Sequence, residues 1–221
     1  MRTLIATSLV TLLLGTTAGY AEDTQLYLEG NLGIGQTGDV SSDLSDQIDG
    51  WTGTAELDLE YDPALVLGGE FGFSNVNGSN FRAGLAVLFA ELELDTLTIT
   101  GEGTFEGERV EGSIEVDPKE FGVTFETDAS LYLANVYYDF DSAVGIQPYV
   151  GAGIGMADIE NTEDMELTLA GHAGFNLDLS DRTYIGVKGS VHWIGGPTDE
   201  LGLEYDNFVF ATAMTVFGVR F

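Results

Sequence analysis

The chain contains no cysteine, and only seven of its 221 residues are lysine or arginine. Without cysteine there is no disulfide framework, no thiolate zinc site and no cysteine nucleophile. Seven bases stand against 37 Asp and Glu, for a formal net charge of −30. A protein this acidic is repelled by a phosphate backbone, so nucleic-acid binding is excluded. Long hydrophobic runs are also missing. The longest, residues 4–14, is shorter than the ~20 residues a spanning helix needs.

That run has a different reading. Arg2 precedes it, and Gly15 to Ala21 is a stretch of mostly small residues ending Gly19-Tyr20-Ala21. This is the layout of a secretory signal peptide, with cleavage expected after Ala21. The remaining chain, 22–221, is then exported.

What is present is apolar content, glycine and aromatics. Hydrophobic residues make up 44% of the chain, with 30 Gly, 13 Phe and 9 Tyr. A disordered acidic chain would be poor in apolar and aromatic residues. The fold must therefore separate apolar from charged residues at short period. Trp51, Gly53, Ala55, Leu57, Leu59 and Tyr61 alternate with Thr52, Thr54, Glu56, Asp58 and Glu60. A helix would mix these two sets, whereas a strand sends them to opposite faces. The same period marks Leu26–Ile34, Leu65–Phe73, Tyr132–Phe140, Pro148–Met156, Leu167–Leu177, Ile185–Trp193 and Ala211–Phe221.

Eight strands of about ten residues fit a tilted crossing of a bilayer. A soluble β-sandwich would alternate too. A closed antiparallel transmembrane barrel is favoured by three features. Aromatics such as Trp51, Tyr61, Phe73, Tyr132, Phe140, Trp193 and Phe221 stand at strand ends. The polar faces are rich in small residues. Short connections (62–64, 141–145, 180–182) alternate with long ones (37–50, 75–129, 158–164, 195–208). Segment 75–129 is expected to be a long acidic outer loop or hairpin. The rival reading uses parts of it as further spanning strands, giving ten or twelve.

The four long connections hold 24 of the 37 acids and three bases, Arg82, Arg109 and Lys119. They read as a solvated, repulsive outer surface. Asp39, Ser41, Asp43 and Ser45 open like a calcium loop, but Gly50 stands where the bidentate Glu belongs, so the pattern fails. No metal site and no cofactor is expected.

Within the barrel the alternation assigns Glu29, Glu56, Asp58, Glu60, Glu70, His172, Lys188, His192 and Arg220 to a polar network in the lumen. Buried carboxylates there should pair or protonate. Ser190 and His192 share a strand face, but in this register they point inward, away from lipid, so no enzyme is expected. An eight-stranded barrel is just wide enough for side chains to fill. The expected role is thus structural or adhesive, with a small cation-preferring porin as the alternative.

One stretch carries a family resemblance. Leu-Ala-Asn-Val-Tyr-Tyr-Asp-Phe (133–140) followed by Ile-Gln-Pro-Tyr-Val-Gly-Ala-Gly-Ile-Gly (146–155) resembles alphaproteobacterial outer-membrane β-barrel proteins of the opacity-protein-like and surface-antigen type. The closing residues Phe217, Val219 and Phe221 are similar to the signal read by the barrel-assembly machinery. The resemblance implies a Gram-negative outer-membrane location. It also implies lipid partners including lipopolysaccharide, reached here through divalent cations because the loops are acidic.

Overall fold

The computed structural model describes residues 24–44, 51–105, 108–141, 145–162, 164–198 and 203–221. The expected signal peptide lies outside them. The described residues form eleven strands: β1 (Gln25–Thr37), β2 (Val40–Leu44), β3 (Trp51–Tyr61), β4 (Ala64–Ser74), β5 (Phe81–Phe105), β6 (Glu108–Val116), β7 (Glu126–Asp139), β8 (Ile146–Ile159), β9 (Glu166–Asp178), β10 (Thr183–Ile194) and β11 (Phe208–Arg220). Two single turns of 3₁₀ helix, Val76–Gly78 and Pro118–Phe121, complete the set.

Eight of these strands close into a ring. Each pairs antiparallel with the next in the order β1, β4, β5, β7, β8, β9, β10, β11, and β11 returns to β1. The seam runs from Tyr27↔Arg220 to Thr37↔Phe210, and the Phe221 amide donates to the Leu26 carbonyl. Closure leaves no unpaired edge in the wall.

The alternation turns apolar residues outward and encloses the polar ones. Ile34 is 60% exposed and Leu65 67%, whereas Tyr27 and Val66 are fully buried. In water this pattern would be inside out. It fits a wall whose solvent is hydrocarbon.

A four-stranded unit stands on the ring. Strand β5 has 25 residues. Phe81 to Glu93 pair with β4 and β7 in the wall. From Leu94 onward the strand pairs with β3, and from Leu97 also with β6. Strand β2 adds to β3, giving the order β2-β3-β5-β6. The register of β3 on β5 slips at Glu60/Tyr61, where the partner steps from Thr96 to Leu94 and leaves Asp95 unpaired. Such a bulge bends a strand, and here it falls where β5 leaves the wall.

The number eight thus agrees with the sequence reading, but one member differs. Residues 51–61 were expected in the wall, and the structure places them in the extension. The missing wall strand is Phe81–Glu93, inside the expected loop 75–129. That segment is a short turn at 75–80, a wall strand, an outer hairpin and the first residues of β7. The connection 62–64 lies at the end that carries the extension, opposite the end at which β4 passes to β5, β7 to β8 and β9 to β10. These two ends are called the sheet end and the turn end below.

Candidate functional site: the barrel lumen

At the turn end, alternate residues of the wall strands converge on two carboxylates. Glu29 on β1 is ion-paired with Arg82 of β5 and accepts from Lys188 Nζ at 2.9 Å and from the Tyr184 hydroxyl at 2.8 Å. Glu70 on β4 accepts from the hydroxyls of Tyr27 and Tyr137, from Asn135 Nδ2 at 3.1 Å and from Lys188 Nζ at 3.2 Å. Lys188 therefore bridges the two carboxylates. Asp139 stands 3.5 Å from the second guanidinium nitrogen of Arg82. Glu29, Glu70, Arg82 and Lys188 are all at most 3% exposed.

The tyrosines serve both as donors and as walls. The Arg82 guanidinium carbon lies 4.4 Å from the Tyr137 ring centre, 4.8 Å from Tyr149 and 5.3 Å from Tyr27. A cation held against aromatic faces in a water-poor site gains attraction from the ring quadrupoles. Each ring needs a flat place to lie, which glycine on a neighbouring strand supplies. A Cβ on Gly84 would sit 2.3 Å from the Tyr27 hydroxyl, and one on Gly218 only 2.0 Å from the Tyr184 ring. Gly151 and Gly174 underlie Tyr137 and Tyr149 in the same way. Glycines at these positions thus leave room for the tyrosines that cross them.

Toward mid-barrel the network continues through His172. Its Nδ1 pairs with Ser190 Oγ at 2.8 Å and its Nε2 with Asn135 Oδ1 at 3.2 Å. His192 is fully buried, edge-on to His172 at 5.9 Å, and its two nitrogens have no hydrogen-bond partner. Ser190 therefore meets His172 and not His192, the pair singled out by the sequence. The serine and both histidines are buried in the closed lumen, facing away from lipid.

Of the nine residues assigned to the lumen, Glu29, Glu70, His172, Lys188 and His192 are there. Arg220 lies at the turn end, paired with Asp178 at 2.8 Å and stacked 4.4 Å from the Tyr184 ring. Glu56, Asp58 and Glu60 are not in the lumen, because their strand belongs to the extension. Glu56 and Glu60 are exposed, and Asp58 accepts from Ser41 at 2.8 Å. Arg82, expected in an outer loop, is the central lumen cation. A strict count of alternation from Phe81 would have found it: the odd positions Phe81, Ala83, Leu85, Val87 and Phe89 face outward. The terminal residues Phe217 and Phe221 are exposed on the outer wall, and Val219 shares their face.

The sheet-end half of the lumen has the opposite character. Val66, Leu88, Leu92, Leu131, Ile194, Phe208 and Phe210 form an apolar cluster there. Leu59 and Tyr61 of β3 pack on it from above. A cavity of about 190 Å³ opens at this mouth.

At the junction itself Lys119 gathers three carboxylates. Its Nζ is ion-paired with Asp62 and lies 3.2 Å from Asp95 and 3.4 Å from Glu93. The hydrogen bond to Asp62 is foremost in holding the Lys119 amine above its ordinary pKa, against partial desolvation, with Asp95 and Glu93 adding to it. Asp117 caps the 3₁₀ turn by accepting from the Lys119 amide at 2.8 Å. Gly122 ends it at φ +70°, a conformation glycine adopts without strain. Lys119 thereby ties this turn to the bulge of β5.

No family model matches the chain. A segment of 94 residues is 32% identical to the outer membrane protein PagN of Salmonella typhimurium, covering 40% of this chain and 35% of that protein. The chain thus matches about a third of that relative's length. The crystal structure of Neisserial surface protein A superposes with a TM-score of 0.50 at 11% identity, covering 89% of this chain and 97% of that one. The solid-state NMR structure of the outer membrane protein AlkL in lipid bilayers gives 0.48 at 16% identity, covering 93% of each.

Proposed function

We propose that this chain is an outer-membrane barrel that does not conduct, and that its role at the cell surface is structural or adhesive, without catalysis. The observation that carries this reading is the turn-end network. Glu29, Arg82, Glu70 and Lys188 occupy the lumen's width, and four tyrosines fill the space around them. An open path there would require separating buried, hydrogen-bonded charges, which costs several kcal/mol per ion. The outer-membrane location is supported by the apolar wall, by the named relative and by the resemblance of residues 133–155 and 217–221. The relative comes from Salmonella, so it supports the barrel type and not the narrower alphaproteobacterial origin.

In this reading the sheet end faces outward and presents an acidic surface. Glu91, Glu93, Glu126, Asp128 and Asp158 share the outward face of β5, β7 and β8 at that end. Lipopolysaccharide phosphates would meet them only through divalent cations. Phe217, Val219 and Phe221 would be read by the assembly machinery during insertion.

The test is conductance of the refolded protein in planar bilayers. A folded, silent barrel is the expected result. Stepwise cation-selective openings would overturn it in favour of the porin.

A further inference from the structure

The two edges of the extension are treated differently. Beside β2 the chain lays its own residues 204–206. The Asp206 amide donates to the Ser41 carbonyl at 2.8 Å, and Ser42 Oγ to the Glu204 carbonyl at 2.7 Å. Strand β6 pairs with β5 alone, and among the described residues no backbone group bonds to its other side. Every residue from Glu111 to Glu115 is exposed. Proline, lysine and a bulge, the usual guards of a free edge, are all missing from β6, whose register on β5 runs unbroken from Glu108 to Val116.

An open edge offers its amides and carbonyls to another strand. The order of residues in β6 suits a second β6. When identical strands pair antiparallel about a two-fold axis, one residue faces its own copy. Centred on Gly112, the overlap takes in all nine residues of β6. Arg109 then falls opposite Glu115 of the second copy, and Glu115 opposite its Arg109. Val110 falls opposite Ile114, Glu111 opposite Ser113 and Glu108 opposite Val116. No like charges meet, and directly opposed like charges are what destabilises a strand pair. Centring on Glu111 would set that carboxylate against its own copy. Centring on Ser113 would set Glu111 against Glu115. Centring on Val110 or Ile114 would leave only 108–112 or 112–116 in register.

We propose that β6 is a homophilic docking edge, pairing antiparallel with β6 of a second copy in a facing membrane. Strands β2, β3, β5 and β6 follow the order of β1, β4, β5 and β7 in the ring, so the extension continues the wall upward. The normal of such a sheet lies along the membrane plane. The two-fold axis of an antiparallel pair runs along that normal, so it turns the second barrel over. This proposal rests on the reading that the sheet end faces outward, and it gives the adhesive role a partner. One edge of nine residues is a small interface, weak for a single pair. Two membranes carrying many copies gain by avidity.

The experiment follows clustering of phospholipid vesicles carrying the refolded protein, by light scattering. It is run at physiological ionic strength, where general repulsion between the acidic surfaces is screened beyond ~8 Å. Wild-type vesicles are expected to cluster. Vesicles carrying Arg109→Glu, and others carrying Glu115→Arg, should each cluster at least about tenfold more weakly, because two like-charge pairs replace two opposite ones. Mixing the two populations should restore clustering, since each variant supplies the charge the other needs. Misfolded variants could not do so. Gly112→Cys adds a thiol to a chain that has none, at a position where a Cβ meets nothing within 4 Å. It should form disulfide-linked dimers on oxidation. Ser113→Cys, offset from its own copy by two residues, should not. Clustering indifferent to either charge reversal, or not restored by mixing, would overturn the pairing. Disulfide dimers without clustering would overturn the facing-membrane placement. On whole cells, a maleimide carried on a polymer too large to cross the outer membrane should label Gly112→Cys. Absence of label would overturn the outward reading and this proposal with it. Label on cells together with dispersed wild-type vesicles would overturn the self-pairing alone.

Discussion

The two halves of β5 are one continuous strand in two solvents. From Phe81 to Glu93 it turns Leu85, Val87 and Phe89 toward lipid, and Arg82, Leu88 and Leu92 inward. From Leu94 to Phe105 it belongs to a sheet with water on its exposed face, where Glu102 pairs with Arg109 at 3.0 Å. Ion pairs occur in both halves, with opposite weight. Arg82 and Lys188 are 3% exposed, whereas the Arg109 side chain is 73% exposed. Exposed pairs contribute ~0–1 kcal/mol. Removing one partner of a buried pair costs ~3–5 kcal/mol, because the other charge is stranded. Position along a strand, not the identity of the pair, sets its value.

The sharpest way to break this comparison is to delete one cation from each region. Lys188→Met should destabilise the barrel by ~3–5 kcal/mol in urea unfolding from lipid vesicles, since Glu29 and Glu70 both lose a donor. Arg109→Met should stay within ~1 kcal/mol of wild type. Similar values for the two would show that the lumen network is far wetter than its burial indicates.

The next contrast concerns solvent. Leu85→Arg places a charge on the lipid face, where midplane positions cost ~2–4 kcal/mol. Ile114→Arg on β6, opposite Ile99 and 64% exposed, should change stability by no more than ~0.5 kcal/mol. The refolding yields of the pair would reveal any error in the register of β5.

A smaller effect is expected where the halves join. Lys119 is held above its ordinary value chiefly by Asp62, and the Tyr61 hydroxyl is pushed up by burial. Both are raised in the fold. Their contribution is therefore complete below the unfolded values of ~10 for Tyr and ~10.4 for Lys. It is lost as pH rises through the higher folded values. Cleavage within 94–125 by an alkali-tolerant protease should be flat from pH 7 to 10 and rise above it, while the wall strands stay protected. Lys119→Gln should raise cleavage already at pH 8. A rise beginning near pH 8 in the unaltered protein would contradict the sign.

The weakest effect belongs to the acidic rim. In bilayers containing lipopolysaccharide, chelating Mg²⁺ or Ca²⁺ should modestly increase proteolysis of the extension without unfolding the barrel. Indifference to chelation would leave these carboxylates merely solvated.

The sequence was most legible where the lumen is polar. Glu29 and Glu70 on their strands, and His172, Lys188 and His192 on theirs, stand out from apolar neighbours at period two. The pattern fails where the lumen turns apolar. Residues 85–90 face lipid on one side and, through Ala86, Leu88 and Ala90, the apolar cluster on the other, so both faces are apolar and the period vanishes. Segment 51–61 misled for the converse reason. It has a water face and a face packed over the barrel mouth, which produces the same alternation as a wall strand. Arg82 was hidden by the first effect, and Glu56, Asp58 and Glu60 were misplaced by the second. The cavity has no sequence signature, because Leu59 comes from the extension and Leu131 and Phe208 from separate strands of the ring.

The continuity of β5 also governs how the extension can open. Its amides are one ladder, anchored at Glu93 in a wall that cannot fray without exposing backbone to hydrocarbon. Opening must start at Phe105 and run toward the membrane, as a zipper with one fixed end. Protection against hydrogen exchange should therefore climb along the strand from Gly103 to Leu94 and reach the global value within the wall. The surface unit then has no separate melting event of its own. It is a graded margin of the barrel's stability, quickest to fluctuate at its tip and slowest at its root.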